Sequence, residues 1–274
     1  MNREPGGLKR RINFSHKVAG NGITAANINM NPQIIILEDS EKLAAEAAYY
    51  FTNLARQSIE CRGTFSVALA GGSSPRNCYK LLAGEAFQRQ ISWKYVHLFW
   101  GDERNVPHNH SDSNYHMVRE ELLDKTTIPS KNIHPFPTDL NPEKAAESYE
   151  NELRGYFNLQ PCQFPEFDLI LLGMGTDGHT ASLFPNTMAI KEEKRLAIAN
   201  YVEVLNAYRL TLTIPLINNS RTVIFLVSGD SKAEILNQVL NQSGDSVLYP
   251  CQLIKPESGR LIFLIDKPAA KAIS

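Results

Sequence analysis

The chain lacks long hydrophobic runs, has few cysteines and carries almost no net charge. No apolar run approaches the roughly 20 residues of a membrane-spanning helix, so we expect a soluble protein without a membrane partner. The four cysteines are scattered and form no C-x-x-C pair, which argues against a zinc centre or disulfide framework and predicts reduced thiols in the cytoplasm. A formal net charge of -1 gives no general attraction to nucleic acid, and we expect no such partner.

The beginning of the chain is poor in acidic residues. Residues 1–32 contain five Lys or Arg residues against the single acid Glu4, and they lack the apolar core of a secretory signal. We predict that this segment is a disordered extension, or that translation starts at Met30. An organelle transit peptide is the alternative, because such leaders are basic and poor in acids. A single folded domain is expected over residues 33–274.

Beyond residue 32, short β-branched or apolar runs alternate with helical segments. The predicted strands are Ile34–Leu37, Phe65–Ala70, Val96–Trp100, Phe167–Leu172, Arg209–Thr213, Val223–Val227 and Leu261–Ile265, the last closing the sheet. The predicted helices are Glu41–Arg56, Asn77–Leu82, Asn114–Leu123 and Lys232–Leu240. This alternation predicts an α/β fold, a single domain with a mainly parallel, doubly wound sheet covered on both faces.

Four polar loops that contain glycine follow predicted strands. They are residues 71–74 (GGSS), 101–104 (GDER), 173–179 (GMGTDGH) and 229–232 (GDSK). Each loop alone is explained as an ordinary turn. Ligands of such sheets bind at the carboxyl ends of the strands, where all four loops would meet, so together they predict a binding site.

The GGSSP stretch at residues 71–75 predicts a phosphate-binding helix start. One of its serines suits the N-cap, Pro75 suits the first helical position, and the free N–H groups with the helix dipole favour an anion. Lys232 stands in a similar turn, and Arg209 begins a strand. An ordinary capped helix, a solvated lysine and a strand-edge arginine are the alternatives. The candidate phosphate ligands are Gly71, Gly72, Ser73, Ser74, Arg209 and Lys232.

The stretch Gly173–Gly178 is a literal G-x-G-x-x-G, the pattern of a dinucleotide-binding turn. Such a turn opens a full helix and needs an acid about 20 residues further on. Here Pro185 ends any helix, and the acids near that distance, Glu192 and Glu193, lie in a charged run. We therefore expect no NAD cofactor.

The glycines of this stretch indicate instead a role for His179. Asp177 can hold one ring nitrogen of His179 while the other nitrogen faces a substrate, and an unperturbed histidine can take a proton from water near neutral pH. A histidine that caps a turn is the alternative. His108 and His110 lack a third ligand at a telling spacing, so we expect no metal site.

These motifs together resemble the 6-phosphogluconolactonases, within a broader group that includes glucosamine-6-phosphate deaminases. The matching segments are LAGGSSP, FWGDERNVP with SDSNYHMVRE, LILLGMGTDGHTASLFP, YRLTLTIPLIN and SGDSKAEIL, in family order between Ile34 and Asp266. The deaminases differ at GDER and after DGH. The resemblance therefore favours the lactonase, and it implies hydrolysis of a 6-phosphogluconate δ-lactone in the oxidative pentose phosphate pathway, with no cofactor.

The resemblance also implies roles for the site residues. His179 would be the general base, Asp177 its support and Arg104 the partner of the developing oxyanion, while the residue 71–74 loop, Lys232 and Arg209 would hold the phosphate. No G-x-S-x-G surrounds Ser182, so an acyl-serine mechanism is disfavoured. An amino-sugar-phosphate deaminase or isomerase and a non-catalytic sugar-phosphate sensor are the alternative functions. We expect a monomer or weak oligomer.

Two positions depart from the family pattern. Glu203 and Val204 stand where a Pro-Lys pair often precedes the R-x-T-L-T strand, which removes one positive charge and puts substrate affinity or activity in question. Asn186 stands where the family often has glycine. Asparagine tolerates the left-handed backbone conformation well, so the loop is expected to keep its shape.

Overall fold

The computed structural model describes residues 32–241 and 249–273. The predicted N-terminal extension therefore lies outside the described residues, apart from Pro32. The strands of the described part are β1 (Gln33–Leu37), β2 (Phe65–Leu69), β3 (Val96–Trp100), β4 (Asp102–Arg104), β5 (Ile133–His134), β6 (Leu169–Leu172), β7 (Ala197–Val202), β8 (Ala207–Leu212), β9 (Thr222–Val227) and β10 (Arg260–Asp266). The α-helices are α1 (Ser40–Arg62), α2 (Ser73–Ala83), α3 (Glu85–Gln88), α4 (Asn114–Glu121), α5 (Pro142–Tyr156), α6 (Ile214–Asn218), α7 (Ala233–Asn241) and α8 (Lys267–Ala270).

The main sheet has seven strands in the order β1-β10-β9-β6-β2-β3-β5, and every neighbouring pair is parallel. The three central strands β9, β6 and β2 are buried along their whole length. Strands with apolar residues on both faces are typical of a parallel sheet that helices cover on both sides. The predicted mainly parallel α/β fold is confirmed.

Helix α1 illustrates how the sequence sets an element. Asp39 caps its start by accepting a hydrogen bond from the Lys42 N–H at 2.8 Å, and Gly63 ends it in the left-handed conformation (φ 82°). The helix buries residues at helical spacing, among them Leu43, Ala47 and Phe51. Phe51 meets Phe65 of β2 edge to face, with ring centroids 5.2 Å apart, so this helix packs directly on the sheet.

A second, antiparallel sheet in the order β4-β8-β7 corrects two expectations. The predicted strand Arg209–Thr213 lies in this small sheet as β8, and the predicted GDER loop contains the short strand β4. The alternating R-L-T-L-T sequence is typical of an antiparallel strand, whereas the main-sheet strands are apolar throughout. Strand β10 also does not close the main sheet, because it lies between β1 and β9.

The histidines of β3 and β5 form a chain of contacts away from the polar loops. His97 Nδ1 lies 3.1 Å from His134 Nε2, and His134 Nδ1 lies 2.6 Å from Glu152 Oε1. Burial, together with the neighbouring His134 and Lys131, lowers the pKa of His97 to about 4. The folded protein therefore keeps His97 neutral at a pH where the unfolded chain protonates it.

This shift predicts that the protein loses stability in mild acid. Between about pH 6.5 and pH 4 the unfolded chain binds a proton at residue 97 that the folded chain does not, so the free energy of unfolding falls as the pH falls. We expect His97→Gln to flatten this dependence in thermal melts recorded across that range. His110→Gln, at an exposed histidine, is the control. An unchanged slope in His97→Gln would show that other groups carry the acid sensitivity.

Candidate active site

The start of α2 is open to an anion. The helix begins at Ser73 with Gly72 at the N-cap, so the prediction that Ser73 or Ser74 caps the helix and that Pro75 is its first residue is wrong. Gly72 has a φ of 98°, which lets the backbone turn into the helix earlier than the Ser-Ser-Pro pattern indicates. No side chain caps this start, and the N–H groups of Ser73 and Ser74 have no hydrogen-bond partner among the described residues.

The side chain of Asn114, at the start of α4, packs against Gly71 in the GGSS loop. A Cβ atom at Gly71 would lie 1.9 Å from Asn114 Oδ1, so only glycine fits there without a shift. The Asn114 amide donates to the backbone oxygen of Asp102 at 2.9 Å. The GGSS loop and the beginning of β4 are therefore held together through one side chain that sequence reasoning did not identify.

Glu103 is a second residue that the sequence analysis missed. Its buried carboxylate accepts backbone hydrogen bonds from Arg104 at 2.8 Å, from Asn114 at 2.7 Å and from Tyr115 at 2.7 Å. Burial raises the pKa of Glu103 to about 7, although these hydrogen bonds oppose the shift. The contacts fix the start of α4 and the backbone of Arg104. Nothing in the local GDER pattern indicates such long-range partners.

His179 and Asp177 form a close pair in the loop after β6. His179 Nδ1 lies 2.5 Å from Asp177 Oδ1, and the backbone N–H of His179 donates to the same oxygen at 3.2 Å. Burial alone would raise the pKa of Asp177, but the hydrogen bonds from His179 outweigh it and lower the pKa. Among the described residues the other ring nitrogen, Nε2, has no hydrogen-bond partner, so it is free to meet a substrate.

The glycines of the G-x-G-x-x-G stretch serve this pair. A Cβ atom at Gly175 would lie 2.1 Å from His179 Nδ1 and 2.5 Å from Asp177 Oδ1. Residues 180–187 after the loop form turns and an isolated bridge between Thr180 and Leu183, and the next helical element is a short 3-10 helix at Met188–Lys191. Asn186 adopts the left-handed conformation (φ 61°), as its sequence predicts.

A segment distant in sequence supports the His179 loop. The Cys251 N–H donates to the Gly178 carbonyl at 3.0 Å, and its thiol lies 3.5 Å from the His179 carbonyl. The ring of Tyr249 packs on Gly178 and its hydroxyl donates to Gln238 of α7 at 2.7 Å. The sequence gives no local signal for this support, because some 70 residues separate the partners.

The three predicted cations lie around this edge but differ in their surroundings. Lys232 is half-buried and has no carboxylate oxygen within 4.0 Å among the described residues, and burial lowers its pKa although Asp177 opposes the shift. Arg104 donates to the Asp112 carbonyl at 2.5 Å. Arg209 stands opposite Arg104 in the β4–β8 register, and burial together with Arg104 lowers its pKa.

These elements surround a cleft of about 270 Å³ at the carboxyl ends of β2, β6 and β9. Asp177 and Arg209 are not among its lining residues: Asp177 contacts the lining residue His179, and Arg209 pairs with the lining residue Arg104 in the β4–β8 register. Glu203 and Val204 lie in an exposed turn between β7 and β8 and do not line the cleft either. The predicted residues that line it are Gly71, Gly72, Ser73, Ser74, Arg104, His179 and Lys232.

Four other polar or charged residues bear on the chemistry of the cleft. Asp102, which lies in the predicted GDER loop, and Asn114 both line the cleft, and neither was given a role by the sequence. Ser182 donates to Asp102 Oδ2 at 2.7 Å and is only 2% exposed, so its hydroxyl is engaged within the protein. His108 is also engaged elsewhere, with Nε2 at 2.8 Å from the Phe136 carbonyl. Within residues 32–241 and 249–273, no group of three or more His, Cys, Asp or Glu side chains is arranged to hold a metal ion.

The fold and cleft define a class: a doubly wound α/β protein with a helix start that no side chain caps and a carboxylate-held histidine at one sheet edge. Comparison with known proteins gives the particular family. The chain belongs to the family described as glucosamine-6-phosphate isomerases/6-phosphogluconolactonase, whose model matches residues 38–263.

Individual relatives agree with this assignment. A 6-phosphogluconolactonase of Synechocystis is 43% identical over 243 residues, covering 88% of this chain and 98% of the relative. A chloroplastic 6-phosphogluconolactonase 3 of Arabidopsis thaliana is 33% identical over 275 residues, covering 98% of this chain and 83% of the relative. The solved 6-phosphogluconolactonase of Trypanosoma brucei superposes with a TM-score of 0.80 at 30% identity, covering 89% of this chain and 99% of that one.

No α-helix within residues 32–241 and 249–273 has both the length and the apolar character needed to cross a membrane.

Proposed function

We propose that the protein hydrolyses 6-phospho-D-glucono-1,5-lactone to 6-phosphogluconate, the lactone-opening step of the oxidative pentose phosphate pathway. The observation that carries this proposal is a carboxylate-held histidine, His179, in the same cleft as an uncapped helix start and the unpaired ammonium of Lys232. A base and an anion-binding region in one cleft suit a phosphorylated, hydrolysable substrate. The names of the Synechocystis and Trypanosoma brucei relatives support the choice of a lactone.

In the proposed reaction His179 Nε2 takes a proton from water while the water oxygen attacks the lactone carbonyl carbon. Asp177 holds Nδ1 and stabilises the imidazolium that forms. The negative charge that develops on the carbonyl oxygen is met by the Arg104 guanidinium. The tetrahedral intermediate then collapses with cleavage of the bond between that carbon and the ring oxygen, which receives the proton from His179. The product is a carboxylic acid that ionises at neutral pH.

Hydrolysis of a lactone requires few catalytic groups beyond His179, Asp177 and Arg104. A lactone is an activated ester, so a positioned base that contributes about 10²–10⁴-fold and electrostatic stabilisation of the oxyanion by a comparable factor suffice. A covalent nucleophile is not required. Ser182, three residues after His179, is buried and donates to Asp102, and the Thr180 hydroxyl donates to the Gly173 carbonyl at 2.8 Å. Both hydroxyls are therefore engaged within the protein, which agrees with attack by water.

The phosphate of the substrate is proposed to lie against the start of α2. The free N–H groups there and the helix dipole favour an anion, and the lysine supplies a full charge. Arg209, the cross-strand neighbour of Arg104, does not line the cleft and is proposed to add to its positive potential without contacting the phosphate. The proposed phosphate ligands that line the cleft are Gly71, Gly72, Ser73, Ser74 and Lys232.

A comparison of two substrates tests the proposed activity. The protein is incubated with freshly generated 6-phosphogluconolactone, with acid release recorded, and in parallel with glucosamine 6-phosphate, with ammonia release recorded. We expect turnover of the lactone alone. Turnover of the amino sugar alone would establish a deaminase, and binding of both without turnover would establish a sensor.

Replacing Lys232 with alanine is expected to raise the KM for the lactone by about 10- to 100-fold, because the substrate loses one charge-assisted hydrogen bond. The kcat should change only a few-fold. The reason is that phosphate binding is common to the ground state and the transition state. Steady-state kinetics measure both constants, and Lys42→Ala, at an exposed lysine of α1, is the control. An unchanged KM would remove Lys232 from the site.

The cellular location and the assembly state of the protein are also proposed. We place the protein in the cytoplasm as a monomer or weak oligomer, or in an organelle if residues 1–32 act as a transit peptide. The chloroplastic name of the Arabidopsis relative supports the second location. Fluorescent fusions with and without residues 1–32 distinguish the two locations, and sedimentation of the purified chain gives its assembly state.

A further inference from the structure

Phe184 lies face to face with the imidazole of His179. The two ring centroids are 4.1 Å apart and the ring planes are inclined by 26°. Phe184 is only 8% exposed, so its ring has little freedom to move away. Asp177 contacts the Nδ1 edge of the same imidazole at 2.5 Å. The histidine ring is thus held at one edge by a carboxylate and on one face by an aromatic ring.

The backbone of Phe184 is anchored to the second sheet. Its carbonyl accepts a hydrogen bond from Thr187 Oγ1 at 2.9 Å. Asn200 of β7 donates to the same Thr187 hydroxyl at 3.2 Å and to the Ser182 carbonyl at 2.9 Å. These bonds tie both ends of the 182–187 turn to a strand. The aromatic face is therefore presented to His179 by a fixed support.

We propose that Phe184 is a positioning residue for His179: its ring fixes the plane of the imidazole so that Nε2 faces the cleft, and its π face stabilises the imidazolium that forms during catalysis. The aromatic quadrupole attracts a cation over the ring face, and this attraction is worth about 0.5–2 kcal/mol depending on desolvation. The inference rests on the proposed role of His179 as the base. The effect on the histidine itself can be measured in the free protein.

Other charged or titratable groups also face His179. The Asp177 carboxylate contacts Nδ1, and the ammonium of Lys232, which lines the same cleft as His179, interacts with Asp177. Cys251 lies against the His179 carbonyl, and burial raises the pKa of its thiol, so it stays neutral. Tyr249 packs on the neighbouring Gly178. All four remain in a Phe184 variant, so a change in the pKa of His179 can be assigned to the aromatic ring.

The test compares Phe184→Leu, which keeps an apolar side chain, with Phe184→Tyr, which keeps the aromatic face. NMR titration of the His179 ring in free protein is expected to give a pKa lower by about 0.4–1.5 units in Phe184→Leu and nearly unchanged in Phe184→Tyr. With the phosphorylated lactone, kcat should fall about 2- to 30-fold in Phe184→Leu with KM within twofold. The acid limb of the kcat profile should move to lower pH, because a weaker base is deprotonated at lower pH.

Phe164→Leu is the matched control, since Phe164 lines a separate hollow with Phe157 and Leu159. An unchanged His179 pKa in Phe184→Leu, or equal losses of kcat in the leucine and tyrosine variants, would overturn the proposal. Should Phe184→Leu fail to fold, Phe184→Met is titrated under the same criteria. The titration does not depend on turnover, so failure of the lactonase proposal and failure of this one are distinguishable.

Discussion

Alanine in place of His179 is expected to lower kcat/KM for the phosphorylated lactone by about 10²–10⁴-fold. The imidazole is the proposed base and lies in the cleft, and its removal takes away the contact between Nδ1 and Asp177, which keeps only the hydrogen bond from the backbone N–H of residue 179. Most of the loss should fall on kcat, because the base acts in the transition state. Initial rates corrected for spontaneous hydrolysis measure the effect, with thermal melting to establish that the variant folds.

Two further variants sharpen this result. Asp177→Asn should also lower kcat strongly, since an amide N–H that donates to Nδ1 favours the tautomer with the proton on Nε2, which cannot act as the base. His110→Gln, at an exposed histidine outside the cleft, should leave the rate unchanged. Full activity in His179→Ala would remove the histidine from the mechanism.

Gly175→Ala is expected to reduce kcat by about 10²-fold, although it adds only one methyl group. The new Cβ would lie 2.1 Å from His179 Nδ1, so the ring and Asp177 must shift together. A misplacement of about 1 Å in a catalytic group can cost 10²-fold in rate. The measurement is kcat at saturating lactone, together with the thermal stability of the variant.

The control for this substitution is a glycine outside the cleft. A Cβ atom at Gly155, in α5, meets nothing within 4 Å, so Gly155→Ala should keep full activity. Equal kcat values for wild type and Gly175→Ala would mean that the pair tolerates displacement. The glycines of the G-x-G-x-x-G stretch would then have another purpose.

Much of the fold could be predicted because its signals are local. Strands β2, β3, β6 and β9 could be predicted because each is a short, mostly apolar segment of the sequence, as is typical of strands in a sheet that is covered on both faces. The carboxyl-end rule then brings four distant loops to one edge. Helix α5 was missed although Asn141 and Pro142 provide a recognisable cap and first turn, so that signal was available.

Other features could not be predicted because they depend on contacts between distant segments. The strand pairing of β4 and β8 joins residues about a hundred positions apart, and the turn of Gly72 into α2 depends on a positive φ that Ser-Ser-Pro does not reveal. Glu103 illustrates the same limit within the site. Its charge indicates an exposed loop, whereas three backbone N–H groups hold it in the interior.

The structure shows where Glu203 and Val204 lie, the two residues that stand in place of the family's Pro-Lys pair. Val204 is 86% exposed at the tip of the turn between β7 and β8. A lysine there would stand outside the lining of the cleft described above.

The most direct test of the account is the rate of opening of two lactones by the purified protein, corrected for spontaneous hydrolysis. Equal concentrations of 6-phosphogluconolactone and of unphosphorylated gluconolactone are followed by acid release near pH 7. The account predicts rapid opening of the phosphorylated lactone and a far lower kcat/KM for the other, because the base and the anion-binding helix start share one cleft. Opening of the phosphorylated lactone at the uncatalysed rate would contradict it.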